Sequence, residues 1–164
     1  SAGQLQSVSG RLKDATKPVA VIEEVLSQAT KELGTMTDDR FFRMEYEEFA
    51  GYMDRAIAAL KAWLNNLSNM VDEKQVLPLQ LNAAKCGFGH FYYSMTPKTP
   101  EINEIWRGVE EKHKKLHGYG NHVIKALMDD KYEEAKGYCN EAFEYSKVLI
   151  ADLEEMKKIA LSKK

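Results

Sequence analysis

Four histidines and two cysteines carry the coordination chemistry available to this 164-residue chain: His90, His113, His117 and His122, with Cys86 and Cys139. His113 and His117 are spaced to fall one helical turn apart, so on a helix their rings share a face. Trp106, Val109, Leu116 and Gly120 share it too. An imidazole on a buried stripe needs partners for its ring nitrogens, and two neighbouring imidazoles double that demand. Ordinary hydrogen bonds or partial exposure are the commoner solution. A metal ion is the other, because each neutral imidazole offers one lone pair while its second nitrogen is held by an acceptor. Cys86 favours the metal. Gly87 and Gly89 beside it are expected to allow a tight turn and close backbone approach, and Phe88, Phe91 and Tyr92 anchor that turn. A thiolate so fixed is a good soft ligand for Zn²⁺.

Other clusters are weaker. Glu45, Glu48 and the Glu110-x-x-His113 element contain part of a carboxylate-bridged di-iron set, but such a site needs a second Glu-x-x-His and the chain has none. The Lys112–Lys115 run mixes exposed lysines with one inward histidine. GFG at 87–89 lacks the lysine of a phosphate loop. No CxxCH attaches haem covalently, which leaves a non-covalent haem sensor as a minor alternative. No spaced nucleophile and base point to catalysis, so the chain is expected not to be an enzyme.

Lys and Arg total 23 against 25 Asp and Glu, for a formal charge of -2. Nucleic-acid backbones and anionic membranes both call for a concentrated cationic face, so neither is an expected partner. Two cysteines without a CxxC pair do not make a disulfide framework, and a reducing, cytoplasmic setting is the default. No run approaches the roughly 18 apolar residues of a spanning helix, so direct membrane insertion is not expected.

The elements that must position these residues follow from apolar spacing. Residues 1–36 read as an N-terminal helical arm or linker, with Leu5, Val8 and Leu12, then Val19, Ile22, Leu26, Ala29 and Leu33 after Pro18. Thr37 or Asp38 can cap the next helix. Its stripe is Phe42, Tyr46, Phe49, Met53, Ile57, Leu60, Leu64, Leu67 and Val71. A break at 71–78 precedes a shorter helical stretch within 79–93. Pro97 and Pro100 interrupt before a long helix from Glu101 to about Asp129, with Ile102, Trp106, Val109, His113, Leu116, Gly120, Ile124 and Leu127 on one face. A last helix carries Tyr132, Ala135, Cys139, Ala142, Ser146, Leu149, Leu153, Met156 and Ala160 on its stripe. The expectation is an all-α protein: an antiparallel four-helix bundle over residues 37–164, with the additional arm.

The string CGFGHFYY at 86–93 resembles the Cys-x-Phe/Leu-Gly-x-Trp/Phe signature of chemoreceptor zinc-binding domains. Cys86, Phe88, Gly89 and Phe91 match it, and His113 and His117 match the HxxxH pair on the following long helix. Trp63 stands in the aromatic position that follows the family's first ligand histidine by three. The resemblance covers about residues 40–160. It implies a zinc-binding regulatory bundle of a bacterial chemoreceptor or nucleotide cyclase, in which zinc or cysteine oxidation controls an attached output module. The family's four ligands are three histidines and one cysteine, but its first histidine falls at or near position 60, which here is Leu60. Three metal ligands are therefore expected, Cys86, His113 and His117, holding one zinc ion per chain. The fourth position would fall to water or, somewhat less readily, to Cys139; His90, Asp54, Glu110 and Glu141 are further alternatives. A metal-free helical module for homodimerisation or signal relay is the main competing reading.

Overall fold

The stretches of three- and four-residue apolar spacing become three long helices in the computed structural model, which describes Gln28 and residues 46–163. Helix α1 is Tyr46–Glu73, α2 the short Gly87–Tyr93, α3 Pro100–Met128 and α4 Tyr132–Ser162, with one 3₁₀ turn at Ala83–Lys85. The arm expected over 1–36, the cap at Thr37 or Asp38 and the stripe residue Phe42 lie outside the described residues, apart from Gln28.

Each boundary has a local cause. Glu47 and Glu48 occupy the first turn of α1, where negative charge suits the helix dipole. At its far end Lys74 turns to a φ of 53°, and the Gln75 N–H closes on the Met70 carbonyl at 3.0 Å. Pro100 starts α3 at a position that has no N–H to lose. Asp130, at a φ of 56°, reverses the chain into α4, and Lys131 N–H reaches Ala126 O at 2.8 Å. The buried stripes follow the spacing at most positions, but Tyr46 is exposed and Val71 and Ile124 are half-buried. Ala50, Ala56, Trp63 and Met70 widen the stripe on α1, and Val123 and Ala126 that on α3. On α4 the fully buried positions include Ala135, Ala142 and Ala160, small residues that let neighbouring helices approach.

Cross-helix contacts give the directions. Lys74 Nζ sits 4.6 Å over the Tyr132 ring and Lys157 bonds Asp54 at 2.7 Å, so α1 and α4 are antiparallel. His122 stacks on Tyr138 at 5.0 Å and Lys163 reaches Glu101 at 2.7 Å, which sets α3 antiparallel to α4 as well. Helices α1 and α3 are thus parallel and diagonal to each other, and α4 packs along both. The remaining column is the chain from 74 to 93. It descends past Met70 (Leu77 N–H to Sδ, 3.2 Å), then Trp63, and ends with Phe91 stacked on Tyr52 at 4.4 Å and Tyr92 on Trp106 at 4.7 Å. The bundle is four columns in antiparallel order, and only the lower part of the second is helical. Its upper part, 76–81, has no helical hydrogen bonding, which opens backbone carbonyls there to side-chain donors.

Candidate metal centre

Cys86 owes its position to a chain of short-range bonds. Gln80 Oε1 accepts the Asn82 N–H at 3.1 Å, and Asn82 Oδ1 accepts the Ala84 N–H at 2.9 Å, starting the 3₁₀ turn. Cys86 ends that turn in extended conformation and caps α2, its sulfur accepting the Gly89 N–H at 3.3 Å while standing 3.3 Å from the Ala83 carbonyl. Phe88 is buried, with its ring 6.3 Å from Trp106 and edge-on to His113 at 5.2 Å, so it pins α2 against α3. A Cβ on Gly89 would lie 1.9 Å from the Ala83 oxygen, an impossible separation. Gly89 is therefore required for close approach. The companion expectation for Gly87 fails: nothing lies within 4 Å of a Cβ there, and no described glycine takes a positive φ. The turn is made by side-chain caps instead.

His113 and His117 are each only 3% exposed on the inner face of α3. Their Nε2 atoms are 3.1 Å apart, and Cys86 Sγ is 3.3 Å from His113 Nε2. One ligand atom from each of the three residues lies within 4.8 Å of the others. Tetrahedral zinc with ordinary bond lengths separates two nitrogens by about 3.4 Å and a nitrogen from a sulfur by about 3.6 Å. The two close separations come within a few tenths of an ångström of these values.

The rings are also in the right chemical state. His117 Nδ1 donates to the Gln80 carbonyl at 3.0 Å, which leaves the lone pair on Nε2, facing His113. Burial, with the neighbouring His117 adding to it, pushes the His113 pKa down to about 4. Burial lowers His117 too, opposed by hydrogen bonds to the Gln80 and Leu81 backbone. Both are neutral at pH 7, the form that binds metal. In the metal-free state a proton on His113 Nε2 can bridge the two nitrogens; a cation placed between them would take its place. The donor set, one thiol sulfur and two imidazole nitrogens in a buried pocket, fits zinc once the ion displaces the proton between them.

The other sequence candidates fall elsewhere. His90 is exposed on α2, and His122 stacks on Tyr138. Cys139 is buried on α4 but stands by Ser68 and Asp72 and is not part of the converging group; burial, then the Asp72 charge, pushes its thiol pKa up. Asp54 pairs with Lys157, Glu110 accepts from Tyr93 and Lys114, and Glu141 is exposed. Lys112 pairs with Asp152, and Lys115 lies over the Tyr145 ring at 4.5 Å, so the basic run braces the bundle surface. Leu60 is 3% exposed on α1, one turn before Trp63.

Sequence reasoning missed the Gln80 carbonyl. It accepts both the His117 Nδ1–H and the Trp63 indole N–H, the latter at 2.8 Å. The available signal was indirect: a tryptophan on an apolar stripe needs an acceptor for its N–H, and the break before Pro78 leaves backbone carbonyls unpaired. Gly120 makes room for the indole, since a Cβ there would meet Leu81 Cδ2 at 2.8 Å and Trp63 Cζ2 at 3.0 Å.

Residues 61–124 match the family model of the chemoreceptor zinc-binding domain. The matched segment contains Trp63, Cys86, His113 and His117 and begins one residue after Leu60. The segment is similar to that family, and it carries a three-residue Cys/His cluster. Domains of this kind are sensory rather than catalytic. No curated protein and no solved structure matches the chain significantly. No helix among the described residues is long and apolar enough to cross a membrane.

Proposed function

We propose that this chain is a divergent chemoreceptor zinc-binding domain and holds one zinc ion through Cys86 Sγ, His113 Nε2 and His117 Nε2, with water as the fourth ligand. The domain then serves as a cytoplasmic sensor that couples metal occupancy, or the redox state of Cys86, to an attached output module of a chemoreceptor or cyclase. The observation that carries the proposal is the convergence of three ligand atoms within 4.8 Å of one another, two of them on buried neutral imidazoles. The bundle domain spans residues 37–164, and 1–36 act as the arm or linker toward the rest of the protein.

Zinc supplies a divalent charge that binds sulfur and imidazole nitrogen together. The chain's own contribution is placement. Cys86 belongs to the irregular second column, whereas both histidines belong to α3. Joining them fastens that column to α3. Releasing them leaves the column held by Phe88, by the Gln80 carbonyl and by the Tyr92 and Tyr93 hydroxyls on Trp106 O and Glu110, so occupancy alters packing that an attached module can read. Cys86 is half-buried, which keeps its sulfur within reach of a small oxidant.

Elemental analysis of protein purified without added metal tests the centre. The unaltered chain is expected to carry close to one zinc, and a Cys86→Ala/His113→Ala double variant close to none. Equal, near-zero metal in both rejects the proposal. Leu60→His sharpens it: a ligand on the stripe that carries Trp63 is expected to tighten zinc about tenfold or more in competitive titration. Unchanged affinity there would mean that position 60 does not face the centre.

A further inference from the structure

The geometry points to Trp63 as a positioning residue for the metal centre: its indole N–H aims the Gln80 carbonyl, and that carbonyl holds His117 in the tautomer that leaves Nε2 free to bind. The inference rests on the metal-centre reading above and concerns a residue that touches no metal. Trp63 Nε1 lies 2.8 Å from Gln80 O, and His117 Nδ1 lies 3.0 Å from the same oxygen. A carbonyl oxygen has two lone pairs and serves both donors at once.

Three features make the indole more than an incidental neighbour. Gln80 lies in the part of the second column with neither helix nor strand, so no regular ladder fixes the direction of its carbonyl. Trp63 instead sits in the middle of the 28-residue α1, a rigid base, and is 8% exposed. Its ring also packs against the His117 ring at 4.8 Å, in a seat kept open by Gly120. The indole therefore restrains His117 twice, by ring contact and through the shared acceptor. Only the second restraint decides which ring nitrogen carries the proton. It also ties α1 to a centre whose ligands all lie on other columns.

Replacing Trp63 by benzothienylalanine separates the two roles, because sulfur takes the place of the N–H while size and aromatic surface are kept. Circular dichroism should match the unaltered chain. In metal-free protein, ¹⁵N NMR of the His117 ring is expected to move from a single Nδ1–H tautomer to a mixture, and zinc affinity is expected to fall about tenfold. Incorporation of 7-azatryptophan, which retains the N–H, should restore both. Trp63→Phe, which loses the N–H and part of the ring, should lower affinity at least as far. An unchanged His117 tautomer together with unchanged affinity in the benzothienylalanine protein overturns the inference. Absence of zinc binding by the unaltered chain would instead reject the metal centre, and the tautomer measurement, made without metal, would still decide the part played by Trp63.

Discussion

Cys86 and Cys139 are chemically identical, yet the regions around them give them opposite fates. Cys139 lies in the middle of α4, where every backbone group is used by the helix, and its sulfur is one more small apolar group near Ser68 and Asp72. Cys86 lies where one short helix ends and another begins. Its sulfur accepts the Gly89 N–H and stands 3.3 Å from an imidazole nitrogen. Regular helices bury side chains efficiently but spend their carbonyls and N–H groups internally. The irregular column costs regular hydrogen bonding, and in exchange it brings free backbone groups and a sulfur to the buried face of α3.

The largest effect that can break this contrast is at Gly89. Gly89→Ala puts a methyl group 1.9 Å from the Ala83 oxygen, so α2 must move off the 3₁₀ turn that delivers Cys86. We expect about 3 kcal/mol or more of lost stability in urea denaturation, and zinc affinity reduced more than about 100-fold. Full stability and affinity would show that the column tolerates displacement without consequence for the centre.

The two cysteines themselves come next. Cys86→Ala is expected to weaken zinc by at least about 100-fold with the helical signal intact, whereas Cys139→Ala should leave affinity within about twofold and cost about 1 kcal/mol from a small cavity. A sharp loss of zinc with Cys139→Ala would place that sulfur at the centre after all.

Much of this was legible in the residues. Steps of three and four mark all three long helices, and the buried set on α4 is the one its spacing implies except for Tyr132, which is half-buried at the first turn. Cys86, His113 and His117 could be singled out because a thiol in a Gly-flanked turn and two histidines on an apolar face have few good solutions in a core. What could not be read was whatever depends on backbone rather than residue type. The Gln80 carbonyl carries no signature in the name of its residue, and the division of labour between Gly87 and Gly89 emerges only when the Ala83 carbonyl is placed. The second column was expected to hold a short helix within 79–93; that the chain from 76 to 82 runs without one follows from tertiary contacts such as Leu77 N–H on Met70 Sδ and the Trp63 bond to Gln80.

Acid should find the irregular region first. His113 is neutral in the fold, with a pKa pushed down to about 4 from the usual 6.5. Between those values the unfolded chain binds more protons than the folded one. Stability is therefore full above about pH 6.5 and falls as pH drops toward 4, by on the order of 3 kcal/mol from this group. Burial of His117 acts in the same direction. Urea midpoints of metal-stripped protein between pH 7.5 and 4 should show this decline, and a flat profile would contradict the buried neutral state.

The smallest effect belongs to the regular side of the contrast. Gly137 lies within α4, and a Cβ there meets nothing within 4 Å. Gly137→Ala is expected to stabilise the protein by about 0.5–1 kcal/mol through helix propensity, with zinc affinity unchanged. The same substitution is thus predicted to have opposite signs at 137 and 89, readable in one pair of denaturation curves.

X-ray absorption at the zinc edge, on protein loaded with one equivalent, tests the centre most directly. The account predicts one sulfur at about 2.3 Å and two imidazole nitrogens at about 2.0–2.1 Å, completed by a single light atom. Two sulfurs, or a shell of oxygens without imidazole scattering, would contradict it.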